Sequence, residues 1–290
     1  IWGMAFVSQS KGMDYMHPFT FNGVRSLIGA AGILVYILIS RKIAGDKAAK
    51  LDWKLNVKAG LLCGIFLTIA STLQQFGIKY TSVGKAGFIT TLYIIFVPMF
   101  GIFLKKKVAP VVWAAASMAA VGMYLLCMTE SLRLGAGDIM VFLCAIAFAI
   151  QIMTVDHYAA RIDGAVVSCI QFTVCGVVCC IGALIWGQPT FGQIQEGLGA
   201  LLYAGVLSCG VGYTLQIVGQ KGLNPTVAAL IMSLESVIAT ISGWIAYKIG
   251  FLSTDQTLTP RQIAGCVIVF AAVILVQLPP EWFRFGKKNA

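Results

Sequence analysis

Thr72-Leu73-Gln74-x-x-Gly77-x-Lys79 recurs 142 residues later as Thr214-Leu215-Gln216-x-x-Gly219-x-Lys221. The same offset carries Ala86 onto Ala228, Ile89 onto Ile231, Leu92 onto Leu234, Gly101 onto Gly243 and Lys106 onto Lys248. Backwards, it carries Ala5, Phe6, Gln9 and Asp14 onto Ala147, Phe148, Gln151 and Asp156. Chance would scatter such matches over many offsets, so one ungapped offset over this distance marks a duplication. Few positions agree, and the copies have diverged widely.

Composition identifies the kind of unit that was duplicated. Hydrophobic residues make up 59% of the chain, charged residues only 11%, and the mean hydropathy is +0.87. A soluble domain carries about 25% charged residues, so this is the composition of a polytopic membrane protein. A helix crosses the hydrocarbon core in about 20 apolar residues. Ten such runs are found, near 1–10, 18–40, 56–78, 83–104, 110–128, 138–158, 165–186, 198–219, 225–247 and 260–278. The first is short, and the expectation is that its beginning is missing from the sequence. No connection is long enough for a soluble domain.

Lys and Arg are retained on the cytoplasmic side of short loops. With the N-terminus inside, the inner loops and tail collect thirteen basic residues, among them Arg41, Lys42, Lys47, Lys50, Lys54, Lys105, Lys106, Lys107, Arg161, Lys221 and Arg284. The outer loops hold six: Lys11, Lys79, Lys85, Arg133, Lys248 and Arg261. Both termini are therefore expected in the cytoplasm, at the plasma membrane of a bacterial cell. The net charge of +10 is mostly this bias and needs no nucleic-acid partner. Copies displaced by five helices, an odd number, cross the membrane in opposite directions. Inverted repeats of this kind let secondary transporters build two exchangeable conformations around a midplane site. The expected fold is all-α, ten transmembrane helices as two inverted five-helix repeats around a central cavity. The first repeat spans 1–134, the second 135–279, with a cytoplasmic tail at 280–290; the boundary lies in the polar stretch Thr129 to Asp138, where Asp138 can cap the next helix.

Ten spans in a five-plus-five arrangement, Trp2-Gly3-x-x-Phe6 in the first, Arg25 in the second and the Leu234-Glu235 step in the ninth together resemble the drug/metabolite transporter superfamily, in particular its EamA branch. The resemblance covers essentially the whole chain. It implies a central cavity lined by helices one, three, four, six, eight and nine, alternating access, and movement of small metabolites, frequently outward. Ser236 follows Glu235 where the family often has proline, while Pro98 sits in the equivalent fourth helix.

Of the acidic side chains, only Glu235 falls in the middle of a span. A charge there costs about 3 kcal/mol on insertion scales, so it should face a cavity or a partner, and it can bind a proton or a cation. Its competing reading is a structural carboxyl joining the halves. Arg25 is the mirror case: it either receives an anionic group of a substrate or snorkels to the outer interface along its own stem. Trp2, Phe6 and Gln9 follow i, i+4, i+7 spacing and share one helix face. Gln74 and Gln75 on helix three, Tyr93 on helix four, Gln151 on helix six, and Tyr213 with Gln216 on helix eight add polar groups at positions paired by the offset, and Gln74 and Gln216 can meet across the cavity. Each such residue alone reads equally as glue between helices; apolar walls with a few aimed polar groups are what a small-molecule site needs.

Nine cysteines lie in or at the edges of spans with no C-x-x-C, the two histidines sit near membrane faces, and no zinc site can be assembled. No cofactor is implied, and neither HExxH nor GxSxG equips the chain as an intramembrane enzyme. The reading is a secondary transporter of small metabolites, an exporter of amino acids, related metabolites or drugs, with proton coupling centred on Glu235. Its alternatives are an importer or exchanger of a cationic metabolite and, from other classes, an intramembrane enzyme or a non-transporting receptor or scaffold. The partners are a small-molecule substrate, membrane lipid and protons; homo-oligomerisation stays open, since no span shows an unambiguous dimer stripe.

Overall fold

A computed structural model describes residues 1–45, 51–81, 83–104, 109–127, 135–251 and 257–278. Lys47, Lys50, Lys105 to Lys107, the stretch 129–134 and the tail charges lie outside the described residues. The first-copy helices are α1 (Trp2–Gly12), α2 (Pro18–Ala44), α3 (Trp53–Tyr80), α4 (Val83–Thr91), α5 (Tyr93–Phe103) and α6 (Pro110–Cys127). The second copy supplies α7 (Ala136–Ala159), α8 (Gly164–Gly182), α9 (Phe191–Glu196), α10 (Leu198–Leu202), α11 (Tyr213–Gly219), α12 (Pro225–Met232), α13 (Leu234–Lys248) and α14 (Pro260–Gln277). Two π-helical stretches, Ala183–Gly187 and Tyr203–Gly212, continue α8 and join α10 to α11.

Helix starts follow from side chains that satisfy orphan backbone donors. His17 Nδ1 accepts from Phe19 N ahead of Pro18, Asp52 caps α3, Asp163 caps α8, and Asn224 caps α12 ahead of Pro225. Thr259 and Gln262 cap α14 reciprocally. Asp138 sits inside the first turn of α7 and reaches back to Gly135 N at 2.8 Å. The same carboxylate accepts from Thr81 Oγ1 at 2.7 Å and pairs with Lys85 Nζ at 2.6 Å, tying the α3–α4 connection to the start of α7.

Among the described residues, seven helical runs are long and apolar enough to cross a membrane: 18–44, 53–80, 85–103, 136–159, 164–187, 198–219 and 225–248. Two more apolar helices, Pro110–Leu125 and Pro260–Val276, are shorter, and α1 has 11 residues. At about 1.5 Å per residue, the 28 residues of α3 reach about 42 Å, more than the hydrocarbon core requires. Leu34, Leu38, Ile43, Phe103, Leu184 and Trp186 point outward, which suits lipid and not water.

Helix α3 lies on α7 and α8, α2 on α8 and on the stretch Tyr203–Gly212, α1 on α13, and α6 on α14. Applying the 142-residue offset exchanges these neighbours: α3 on α8 becomes the π-helical stretch on α2, and α1 on α13 becomes α7 on α5. The end of α3 and the start of α7 come close because glycines meet there. A Cβ on Gly77 would run into Val141 and the Gly137 carbonyl, and one on Gly137 into the Gly77 carbonyl and Tyr80. Small residues at such crossings are how helices associate without a hydrophobic drive.

Two of the expected straight spans are interrupted at nearly equivalent places. At Leu92 and at Ser233 the backbone closes a tight turn, with Leu92 N bonding Ile89 O at 3.2 Å and Ser233 N bonding Leu230 O at 3.2 Å. The second interruption needs no proline, although Pro98 is present six residues after the first.

Candidate functional site

Directly after those tight turns come Tyr93 and Glu235, and the Tyr93 hydroxyl donates to Glu235 Oε1 at 3.0 Å. These two residues are mates under the 142-residue offset. A residue that touches its own counterpart must lie beside the relation that maps one copy onto the other. Glu235 is ten residues from the start of α12 and thirteen from the end of α13, so it sits about 15 to 20 Å along the span from either end.

Around this bond opens a cavity of about 50 Å³, partly open to the exterior. That holds a few waters and is smaller than the roughly 300–1,000 Å³ of small-molecule sites, so a solute of that size needs the walls to part. Its wall includes Trp2, Phe6, Gln9, Arg25, Gln74, Tyr93, Gln151, Tyr213, Gln216 and Glu235 from the sequence candidates. Gln75 is not among the lining residues; it is fully buried and its Nε2 donates to the Gln9 carbonyl at 3.2 Å, so it serves the α1–α3 contact. Arg25 does not snorkel to the outer interface: it is 6% exposed and turned inward.

The remaining wall consists of residues the sequence reading passed over, among them Ser26, Leu67, Ser71, Thr90, Phe148, Phe172, Ser208, Cys209 and Met232. Two of them, Ser71 and Phe148, could have been found from the offset, as the mates of Tyr213 and Phe6. Phe6 and Phe148, Gln9 and Gln151, Leu67 and Cys209, Ser71 and Tyr213, Gln74 and Gln216, Thr90 and Met232, and Tyr93 and Glu235 are seven pairs of mates that all line this cavity. Phe172 carries no such signal, since its mate Ala30 lies elsewhere in the core.

Gln74 and Gln216 are not bonded to each other. Gln74 Nε2 donates to Thr90 Oγ1 at 3.2 Å within the first copy. In the second copy, the position of Thr90 is taken by Met232, which offers no oxygen. Gln216 Nε2 instead donates to Gln151 Oε1 at 3.3 Å, and Gln151 Nε2 to Gln171 Oε1 at 3.5 Å, forming a chain of amides. Three polar atoms on the wall remain buried and unpartnered: Gln9 Oε1, Gln216 Oε1 and Arg25 Nε. Buried polar groups are ordinarily satisfied, so atoms left open in a cavity are where a bound molecule can be held.

The apolar side of the wall is aromatic. Trp2 and Tyr213 have ring centroids 4.7 Å apart, and Phe172 meets Tyr213 edge-on at 5.1 Å. Trp2 Nε1 donates to the Ser208 carbonyl at 3.4 Å, inside the π-helical stretch. The indole comes this close because position 212 is glycine; a Cβ there would strike the Trp2 ring. Among the described residues, no group of three or more His, Cys, Asp or Glu side chains is placed to hold a metal ion.

The family model of the EamA-like transporter family matches residues 1–128 and 135–278. An uncharacterized transporter of Archaeoglobus fulgidus is 27% identical over 284 residues, covering 96% of this chain and 82% of its own length. The uncharacterized transporter YwfM of Bacillus subtilis is 24% identical, covering 97% of this chain and 91% of its own. A solved crystal structure superposes with a TM-score of 0.72 at 16% identity, covering 98% of both chains, which marks a shared fold.

Proposed function

The chain belongs to the EamA-like transporter family of the drug/metabolite transporter superfamily, and from that premise we propose that it moves small metabolites through the cavity between its copies by alternating access. The family and its transporter-named relatives point to an integral membrane transporter rather than an enzyme. The proposed architecture is ten transmembrane helices, five in 1–134 and five of inverted orientation in 135–279, with both termini in the cytoplasm of a bacterial cell. The exchange of neighbours under the offset supports this arrangement.

One observation carries the reading: a single midspan cavity is walled by seven pairs of repeat mates, and the pair Tyr93 and Glu235 is directly bonded across it. Two half-sites from related copies can trade roles, one opening as the other closes, which is what alternating access requires of inverted repeats. Glu235 is the proposed ionisable centre. Its carboxylate is costly in the span interior unless compensated, and Tyr93 supplies one hydrogen bond; protonation, or a cationic group on the solute, supplies the rest. Outward movement of amino acids, related metabolites or drugs is the proposed direction and cargo.

Flux of a radiolabelled metabolite panel into and out of liposomes containing the purified protein tests this. Saturable flux that an imposed pH gradient drives, and that Glu235→Gln uncouples from the gradient, is the expected result. Flux of Glu235→Gln with unchanged rate and pH dependence would refute proton coupling, and no flux above empty liposomes would refute transport.

A further inference from the structure

Arg25 breaks the symmetry of the cavity. Its mate is Val167, so the guanidinium has no counterpart in the second copy. It lines the cavity, is 6% exposed, and its Nε has no hydrogen-bond partner. Among the described residues, the ion pairs are Lys11 with Asp14, Arg41 with Asp163 and Lys85 with Asp138, so no carboxylate lies within 4.0 Å of Arg25. Glu235, the other charged residue on the wall, is engaged by Tyr93 instead. The guanidinium lies by the Phe21 ring, 5.4 Å away, a contact that attracts a cation without neutralising it.

A guanidinium stays protonated, and burying it without an anion costs several kcal/mol even after relaxation. Retaining it at the wall of a cavity is therefore explained by an anion that arrives with the cargo. We propose, building on the reading of this cavity as the transport site, that the solute carries a carboxylate and that Arg25 receives it. A carboxylate fits better than a phosphate group. Phosphate brings a charge of about −1.5 to −2, and with Glu235 on the same wall one guanidinium could not balance it. The planar fork of Arg matches the two carboxylate oxygens. The rings of Trp2, Phe172 and Tyr213 then face an apolar or aromatic remainder of the solute, and Gln9 Oε1 offers an acceptor to any N–H it carries.

The test compares acids with their uncharged or cationic counterparts, by calorimetry on purified protein: 3-phenylpropionate, hexanoate and phenylalanine against 3-phenylpropionamide, hexanamide and phenylalaninamide. Charge-assisted hydrogen bonds contribute about 1.5–3 kcal/mol, so at least one acid should bind on the order of tenfold to a hundredfold tighter than its amide. Arg25→Gln should abolish that preference, and Arg25→Lys should retain part of it. Equal binding of acid and amide, no binding of any acid, or an acid preference that survives Arg25→Gln would overturn the assignment. Should Arg25→Gln fail to fold, the acid-to-amide ratio in the wild type and in Arg25→Lys still decides it. Binding is read without flux, so an acid preference in a protein that moves nothing across liposomes would strike the transport reading and leave this one standing.

Discussion

Both halves of the chain line one cavity, seven times with mated positions, yet their contributions differ in kind. On the first-copy side α3 is a continuous α-helix from Trp53 to Tyr80. Its counterpart, from Leu198 to Gly219, is wound as a π-helix over the ten residues Tyr203–Gly212. The equivalent α3 segment has Cys63, Thr68 and Ala70 where the π-helical stretch has Gly205, Gly210 and Gly212. Glycine weakens the regular α-helix by about 1 kcal/mol per position and leaves room for close neighbours. Here the room is filled by the Trp2 indole over Gly212 and by Gly29 of α2 against Gly205 and Cys209. π-Helical insertions are frequent at functional sites, and this one supplies Ser208, Cys209 and the base of Tyr213 to the cavity. Divergence after duplication has thus left one α-helical wall and one that is partly π-helical.

The largest effect short of the central pair is expected from filling the gap on the π-helical wall. Gly212→Leu should displace Trp2 and destabilise the protein by about 1–3 kcal/mol, as overpacked cores do, with a matching fall in thermal unfolding temperature measured in detergent. An unchanged unfolding temperature would show that the indole does not rest there.

The amide chain comes next. Gln151→Leu removes the bonds to Gln216 and Gln171, and at about 0.6 kcal/mol per interhelical bond in membranes the loss should be near 1.2 kcal/mol. Gln9→Leu, at the mate position, removes no side-chain hydrogen bond of the structure and should cost less in a detergent unfolding titration. Equal costs would mean that the two walls are bonded alike.

The smallest effect concerns the caps of two equivalent helices, α2 and α8. Asp163 caps α8 as a carboxylate, whereas His17 caps α2 through an unprotonated Nδ1. Burial, with a lesser contribution from Lys79, holds the His17 imidazole below its ordinary value, which is about 6.5. A depressed folded value means that this stability is present above about pH 6.5 and is lost as pH falls through the folded value. Stability of the wild type should decline by up to roughly 1 kcal/mol on acidification through that window, the worth of a cap. His17→Asn, which keeps an acceptor and cannot titrate, should flatten that part of the profile; an unaltered decline would place its origin elsewhere.

Much of this was legible in the residues, and for identifiable reasons. The ungapped offset preserved Gln74 with Gln216 and Phe6 with Phe148, and composition set the solvent, so the membrane setting and about half of the cavity wall were legible in the residues. What escaped were effects of tertiary partners. Hydropathy does not distinguish a π-helix from an α-helix, so 198–219 read as one regular span. Two like glutamines suggested a bond across the cavity, but Thr90 gave one of them a nearer acceptor and Met232 denied it to the other. Adjacent Gln74 and Gln75 were read together, although neighbouring helical positions point about 100° apart and only the first reaches the cavity. Arg25 looked free to snorkel because sequence does not show that α8 and the π-helical stretch close over α2.

The claim that matters most is that mates from the two copies act together on the solute, and Tyr93 with Glu235 is where it is exposed most directly. A double-mutant cycle on liposome flux, with Tyr93→Phe, Glu235→Gln and the pair, isolates their coupling. The expected result is loss of flux in each single variant, on the order of tenfold for Glu235→Gln, and a double variant no worse than Glu235→Gln alone, giving a coupling of at least about 0.5 kcal/mol. Losses that simply add, or flux untouched by either change, would contradict a cavity worked jointly by the two copies.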